Sequence, residues 1–149
     1  MKLEQEIGTN KWKSQVQKAT VNILFTSNWL RDMTECVMKE FDLKSQHFNL
    51  LRIIKGRSPG TISPGEIKEV MLDKGRDVTR LVDKLVRKGF VSRQQCPSNR
   101  RSVEICMTEK GLEFTDMLSG KLAEAMDGRI NLSEEEGRLL SELLDKLRG

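Results

Sequence analysis

The sequence predicts a mainly α chain with one small β-hairpin, an α+β arrangement, and three observations predict it. Apolar residues recur at helical spacing through most of the 149 residues. Serine followed three residues later by glutamate, at Ser63/Glu66 and Ser133/Glu136, marks two capped helix starts. One stretch, 90–107, instead alternates apolar and polar residues on either side of a Pro-Ser-Asn turn.

Length and composition narrow the class. A chain of 149 residues with 37% hydrophobic content suits a single domain, 1–149, with a modest core. No apolar run nears the roughly 20 residues that span a bilayer, and Met-Lys-Leu-Glu does not open like a signal peptide, so no membrane partner and a cytoplasmic location are expected. Cys36, Cys96 and Cys106 lack CxxC spacing and His47 is the sole histidine, which excludes a disulfide framework and a zinc site from the expectations. No metal or cofactor is expected, and no nucleophile-base pair or phosphate loop suggests an enzyme.

Taken in order, residues 1 to about 13 show no period and are expected to fray. From Ser14 to Phe41, Val16, Ala19, Ile23, Leu30, Met33, Val37 and Phe41 form a stripe, while Phe25, Trp29 and Cys36 fall off it. A long helix apolar on more than one side calls for more than one neighbour, including a second subunit. Ser45 to Lys55 reads as a short helix closed by Gly56, with His47 as a hydrogen-bonded residue near its start. Ser63, Pro64 and Glu66 then open a helix carrying Ile67, Val70 and Met71. After Leu72-Asp73-Lys74-Gly75, Asp77 caps a helix whose Val78, Leu81, Val82 and Leu85 face a core.

Arg76, Arg80, Lys84 and Arg87 line the other side of that helix, which Gly89 ends. Two short helices joined by a tight turn, the second one basic, form a helix-turn-helix layout. Phe90–Gln95 and Ser102–Met107 are the expected hairpin strands, with Val103, Ile105 and Met107 turned to the core. Thr108 caps a helix to about Asp127, and Ser133 caps a last one with Leu139, Leu140, Leu143, Leu144 and Leu147. That leucine stripe needs a partner surface, in its own chain or across a symmetric dimer; the dimer fits better.

Charge follows the same division. Residues 1–51 hold 7 Lys/Arg and 6 Asp/Glu, 52–101 hold 13 and 5, and 102–149 hold 6 and 11. The middle segment, at +8, thus offers its basic helix to an anionic partner, and double-stranded DNA is the expected one. Arg76, Thr79 and Arg80 are the candidates for base reading, with Lys84 also able to meet the groove. Arg87, Lys88 and Arg93 are the candidates for phosphate contact. Asp83 is expected to pair with Arg87 one turn on.

The runs Asp-Val-Thr-Arg-Leu-Val-Asp-Lys-Leu at 77–85, Lys-Gly-Phe-Val-Ser-Arg at 88–93, Pro-Ser-Asn-Arg-Arg at 97–101 and Met-Thr-Glu-Lys-Gly at 107–111 resemble, in this order, the MarR family of bacterial winged helix-turn-helix regulators. The resemblance implies a homodimer joined through helices 14–41 and 109–148, with lobe 43–108 binding an inverted-repeat operator. It also implies a wing, carried by Asn99, Arg100 and Arg101, whose Arg101 enters the minor groove. Asn99 departs from the family's usual aspartate, which removes charge assistance from the bond that braces that arginine. A small aromatic or anionic effector is implied too, for which Phe25, Trp29 and Met33 are the candidate cleft. The expected role is a dimeric transcription regulator, a repressor. The competing readings are a winged-helix module that binds protein, or a thiol-based redox sensor using Cys36 or Cys96.

Overall fold

The computed structural model describes residues 2–75, 77–96 and 99–149, and of residues 96 and 99–102 the backbone alone. Seven helices and one hairpin are found among the described residues: α1 (Leu3–Ile7), α2 (Gln15–Lys39), α3 (Ser45–Lys55), α4 (Pro64–Val70), α5 (Val78–Arg87), β1 (Val91–Cys96), β2 (Asn99–Met107), α6 (Glu109–Met126) and α7 (Glu134–Arg148).

Capping residues fix most helix starts. Ser14 accepts from the Gln17 amide, Asp77 from Arg80 and Thr108 from Gly111. Ser63 and Glu66 exchange bonds in both directions, Glu66 N–H to Ser63 Oγ at 3.2 Å and Ser63 N–H to Glu66 Oε2 at 3.0 Å. The bonds from Ser63 hold the Glu66 carboxyl below its usual range. Ser133 and Glu136 repeat the arrangement at α7.

The core joins the end of α2 to the helix-turn-helix. Met38, Leu50, Leu51, Ile54, Ile67 and Leu85 expose no surface. Burying each contributes about 1.5–3 kcal/mol. Thr115 is buried among them, and its hydroxyl donates to the Gly111 carbonyl at 2.6 Å, which removes the cost of an unpaired polar group.

Three expectations are corrected. The opening residues do not simply fray: α1 buries Leu3, and Glu4 pairs with Lys18 of α2. The hairpin reaches further than read, β2 beginning at Asn99, and Val103 stays 40% exposed because only Ile105 and Met107 lie over the core. Ile62 forms an antiparallel bridge with Ile105, N–H to O distances being 3.0 and 2.9 Å, so the segment before α4 joins the hairpin as a third, one-residue rung.

Candidate nucleic-acid interface

The turn between α4 and α5 is tied at both ends by side chains. Asn49 Oδ1 of α3 accepts the Leu72 N–H at 3.1 Å, and Asp73 Oδ1 accepts that of Gly75 at 3.2 Å. Helix α5 then buries Val78, Val82 and Leu85 against α3 and α4. On its other side Thr79, Arg80 and Arg87 are exposed, and none of their side chains has a hydrogen bond or ion pair among the described residues. These three are held out to solvent by a helix that cannot roll without exposing its valines.

Lys84, Lys88 and Arg93 are engaged. Lys84 Nζ lies 2.8 Å from Asp42 Oδ2, and Lys88 Nζ lies 3.9 Å from the same oxygen. The hydrogen bond and charge of Lys84 lower the Asp42 pKa. Asp83, expected to pair with Arg87, instead meets Arg93 of β1 at 2.5 Å. The helix neighbour lost to the strand neighbour because the hairpin leaves α5 at its very end and brings Arg93 alongside.

That exit is clamped. Gly89 takes φ 75°, a conformation that suits glycine, and turns the chain into β1. The Thr108 hydroxyl contacts the Gly89 and Phe90 carbonyls at 2.8 and 3.0 Å, and Lys110 donates to the Lys88 carbonyl at 2.8 Å. Phe90 stacks on Phe114 with centroids 4.0 Å apart, and Phe114 meets Phe41 edge-on at 5.4 Å. Gly111 lets the backbones touch: a Cβ there would lie 1.9 Å from the Phe90 carbonyl oxygen. Sequence reasoning found Gly89 and the Thr108 cap but missed Asp42, Lys110 and the aromatic stack, which join residues far apart in the chain.

His47 is 5% exposed, and its Nδ1 accepts the Lys44 N–H at 3.0 Å. Burial first, and the Lys84 charge second, push its pKa below the ordinary 6.5, so the ring is neutral with its proton on Nε2.

Of the other candidates, Arg76 lies outside the described residues, as do the side chains of Cys96, Asn99, Arg100 and Arg101. Phe25 and Trp29 line a cleft of about 470 Å³ with Leu3, Arg129, Leu132 and Leu140. Met33 does not line it; it is 7% exposed, turned into the packing of α2. Cys36 is exposed and Cys106 lies 3.0 Å from the Ser92 hydroxyl. No group of metal-ligating residues occurs among the described residues, and no helix there is long and apolar enough to cross a membrane.

The helix-turn-helix and most of the hairpin that follows it fall within the segment that known proteins match. The MarR family model matches residues 43–103. The HTH-type transcriptional regulator YkoM of Bacillus subtilis is 33% identical over 112 residues, which are 72% of this chain and 70% of YkoM. The chain belongs to the MarR family. PecS of Dickeya dadantii, another HTH-type transcriptional regulator, is 27% identical over 74% of this chain and 68% of its own length. Among solved structures, a MarR transcription factor from Planctomyces limnophilus has a TM-score of 0.68 at 26% identity, covering 92% of this chain and 95% of that one. A MarR-like regulator from Bacillus cereus reaches a TM-score of 0.76 at 18% identity over 90% and 96%, which shows the shared fold. As a MarR-family protein the chain is a DNA-binding transcription regulator, not an enzyme.

Proposed function

We propose that this MarR-family chain acts as a homodimeric, sequence-specific repressor whose α5 reads an inverted-repeat operator. The observation that carries the reading is the exposed set Thr79, Arg80 and Arg87 on a helix anchored by Val78, Val82 and Leu85. Arg80, in the first turn of α5, suits guanine O6/N7, and Thr79 a base edge or thymine methyl. Arg87, in the last turn, suits phosphate. Arg76, Lys84, Lys88, Arg93 and the wing residues Asn99, Arg100 and Arg101 complete the proposed set.

Dimerisation is supported by what a single chain leaves uncovered. Helix α7 buries no residue, and Leu139, Leu140, Leu143 and Leu147 are 45–55% exposed. Val16 and Leu24 of α2 are 67% and 62% exposed. Two apolar helix faces at the chain ends suit a two-fold interface. The Phe25/Trp29 cleft, with Arg129 on its wall, suits a small aromatic or anionic effector that favours one spacing of the two α5 helices over another.

A salt-series gel shift against random duplex DNA tests the reading. Binding at low salt that weakens steeply as salt rises is expected; its absence at low salt overturns the reading. Selection of bound fragments should then recover an inverted repeat with half-sites about one helical turn apart.

A further inference from the structure

Resting on the DNA-binding reading, we infer that Asp42 acts as an internal stand-in for a DNA phosphate, one carboxylate oxygen holding Lys84 of the recognition helix and Lys88 at its C-cap and competing with DNA for them. That oxygen, Oδ2, faces both ammonium groups, at 2.8 and 3.9 Å, as a phosphate oxygen would. The lysine side chains retain 27% and 29% exposure, whereas the carboxylate is 80% exposed. The carboxylate is therefore the solvent-facing partner of the pair, open to exchange with another anion.

Its position is built rather than incidental. Asp42 takes φ 53°, a left-handed conformation in which aspartate and asparagine are favoured among non-glycine residues. The backbone on either side is pinned. The Asp42 N–H donates to Lys39 O and the Leu43 N–H to Met38 O, both at 3.1 Å. Leu43 is 4% exposed, and Phe41 packs edge-on against Phe114. The side chain is thus aimed at α5 by the end of the long helix α2. The consequence is a brake on non-specific binding: the sequence-independent affinity of any DNA-binding surface grows with the number of phosphates it neutralises, and Asp42 removes two cations from that number while leaving Arg80 and Arg87 outward.

The test is a double-mutant cycle on binding to random duplex DNA across a salt series. Asp42→Asn keeps a residue that accepts left-handed backbone, and Asp42→Gly removes the carboxylate without strain; circular dichroism checks both folds. Either variant is expected to bind about three- to tenfold tighter at low salt, with a log–log salt slope steeper by about one to two units. Introduced together with Asp42→Asn, the pair Lys84→Gln and Lys88→Gln should abolish the gain that Asp42→Asn gives alone, measured against the Lys84→Gln/Lys88→Gln chain with Asp42 intact. Additive effects, an unchanged slope, or weaker binding by both Asp42 variants overturn the inference while leaving the DNA reading standing. A wild-type chain that binds no duplex at low salt removes both.

Discussion

Asp83 and Arg93 join the recognition helix to the first strand of the wing, carboxylate to guanidinium at 2.5 Å, each side chain 39% exposed. The pair spans the Gly89 turn, so it resists opening of the angle between α5 and β1. At that exposure solvent screens most of the attraction, and exposed pairs couple by only about 0.2–1 kcal/mol. Asp83→Asn should shift the urea midpoint correspondingly little, and a cycle with Arg93→Gln should return a coupling within that range. A coupling of several kcal/mol would show a buried pair and contradict the geometry.

Arg80 and Arg87 should separate by function. Arg80→Ala should lose about 1–3 kcal/mol on the selected operator and relax preference at one base pair. Arg87→Ala should weaken all duplexes alike and reduce the salt slope by about one unit. Neither should alter thermal stability, since neither side chain has a hydrogen bond or ion pair among the described residues. Competition binding on operator and random DNA measures the difference, and equal loss on both for Arg80→Ala would remove its base-reading role.

Much of the layout behind these assignments was legible in the sequence. Helix α3 lies where the pattern places it, residue for residue, because a helix with a clear start, a single apolar face and a glycine stop needs only local information. The starts of α4 and α7 also fall where the pattern places them, because their capping boxes are written four residues long. The misses are non-local. Helix α1 is one turn long, too short to show a period. The Ile62–Ile105 bridge joins residues 43 positions apart, and Asp42 reaches Lys84 across the whole helix-turn-helix. Asp83 illustrates the reason: Arg87 is its neighbour along the helix, but Arg93 is its neighbour in space.

Gly111→Ala should be among the most damaging small substitutions in the chain. The added methyl would lie 1.9 Å from the Phe90 carbonyl oxygen, which is backbone and held by the Thr108 N–H at 3.1 Å. The loss should reach the top of the roughly 1–3 kcal/mol typical of overpacking, read from urea unfolding. A midpoint unchanged from wild type would mean that α6 can slide away from the joint.

Mild acid should destabilise the fold through His47. Its folded pKa lies below 6.5 while the unfolded chain titrates near that value, so between the two the unfolded state binds more protons. The contribution to stability is full above about pH 6.5 and is lost as pH falls through the folded value. Burial and the Lys84 charge oppose the imidazolium and the Asp42 charge favours it. His47→Gln keeps an acceptor for the Lys44 N–H and should flatten the melting temperature as pH falls below about 6.5. A wild-type profile already flat in that window would refute the assignment.

If α7 forms the proposed two-fold interface, charging its leucine stripe should separate the subunits without unfolding them. Leu140→Glu with Leu143→Glu alters side chains that a single chain leaves about half exposed, so helicity should persist while the sedimentation behaviour changes from dimer to monomer. A dimer that survives both substitutions would place the interface elsewhere.

The cleft beside α2 also makes the protein its own optical instrument. The chain has no tyrosine and two tryptophans, Trp12 and Trp29, of which Trp29 forms part of the cleft wall. Emission excited near 295 nm therefore comes from the N-terminal helical region and none of it from α5. With Trp12→Phe, a single indole would report on the cleft wall, and its spectrum would be free of any signal from α5. Occupancy of the cleft and occupancy of the operator could then be followed in one cuvette, the first by intrinsic emission and the second by a dye on the DNA.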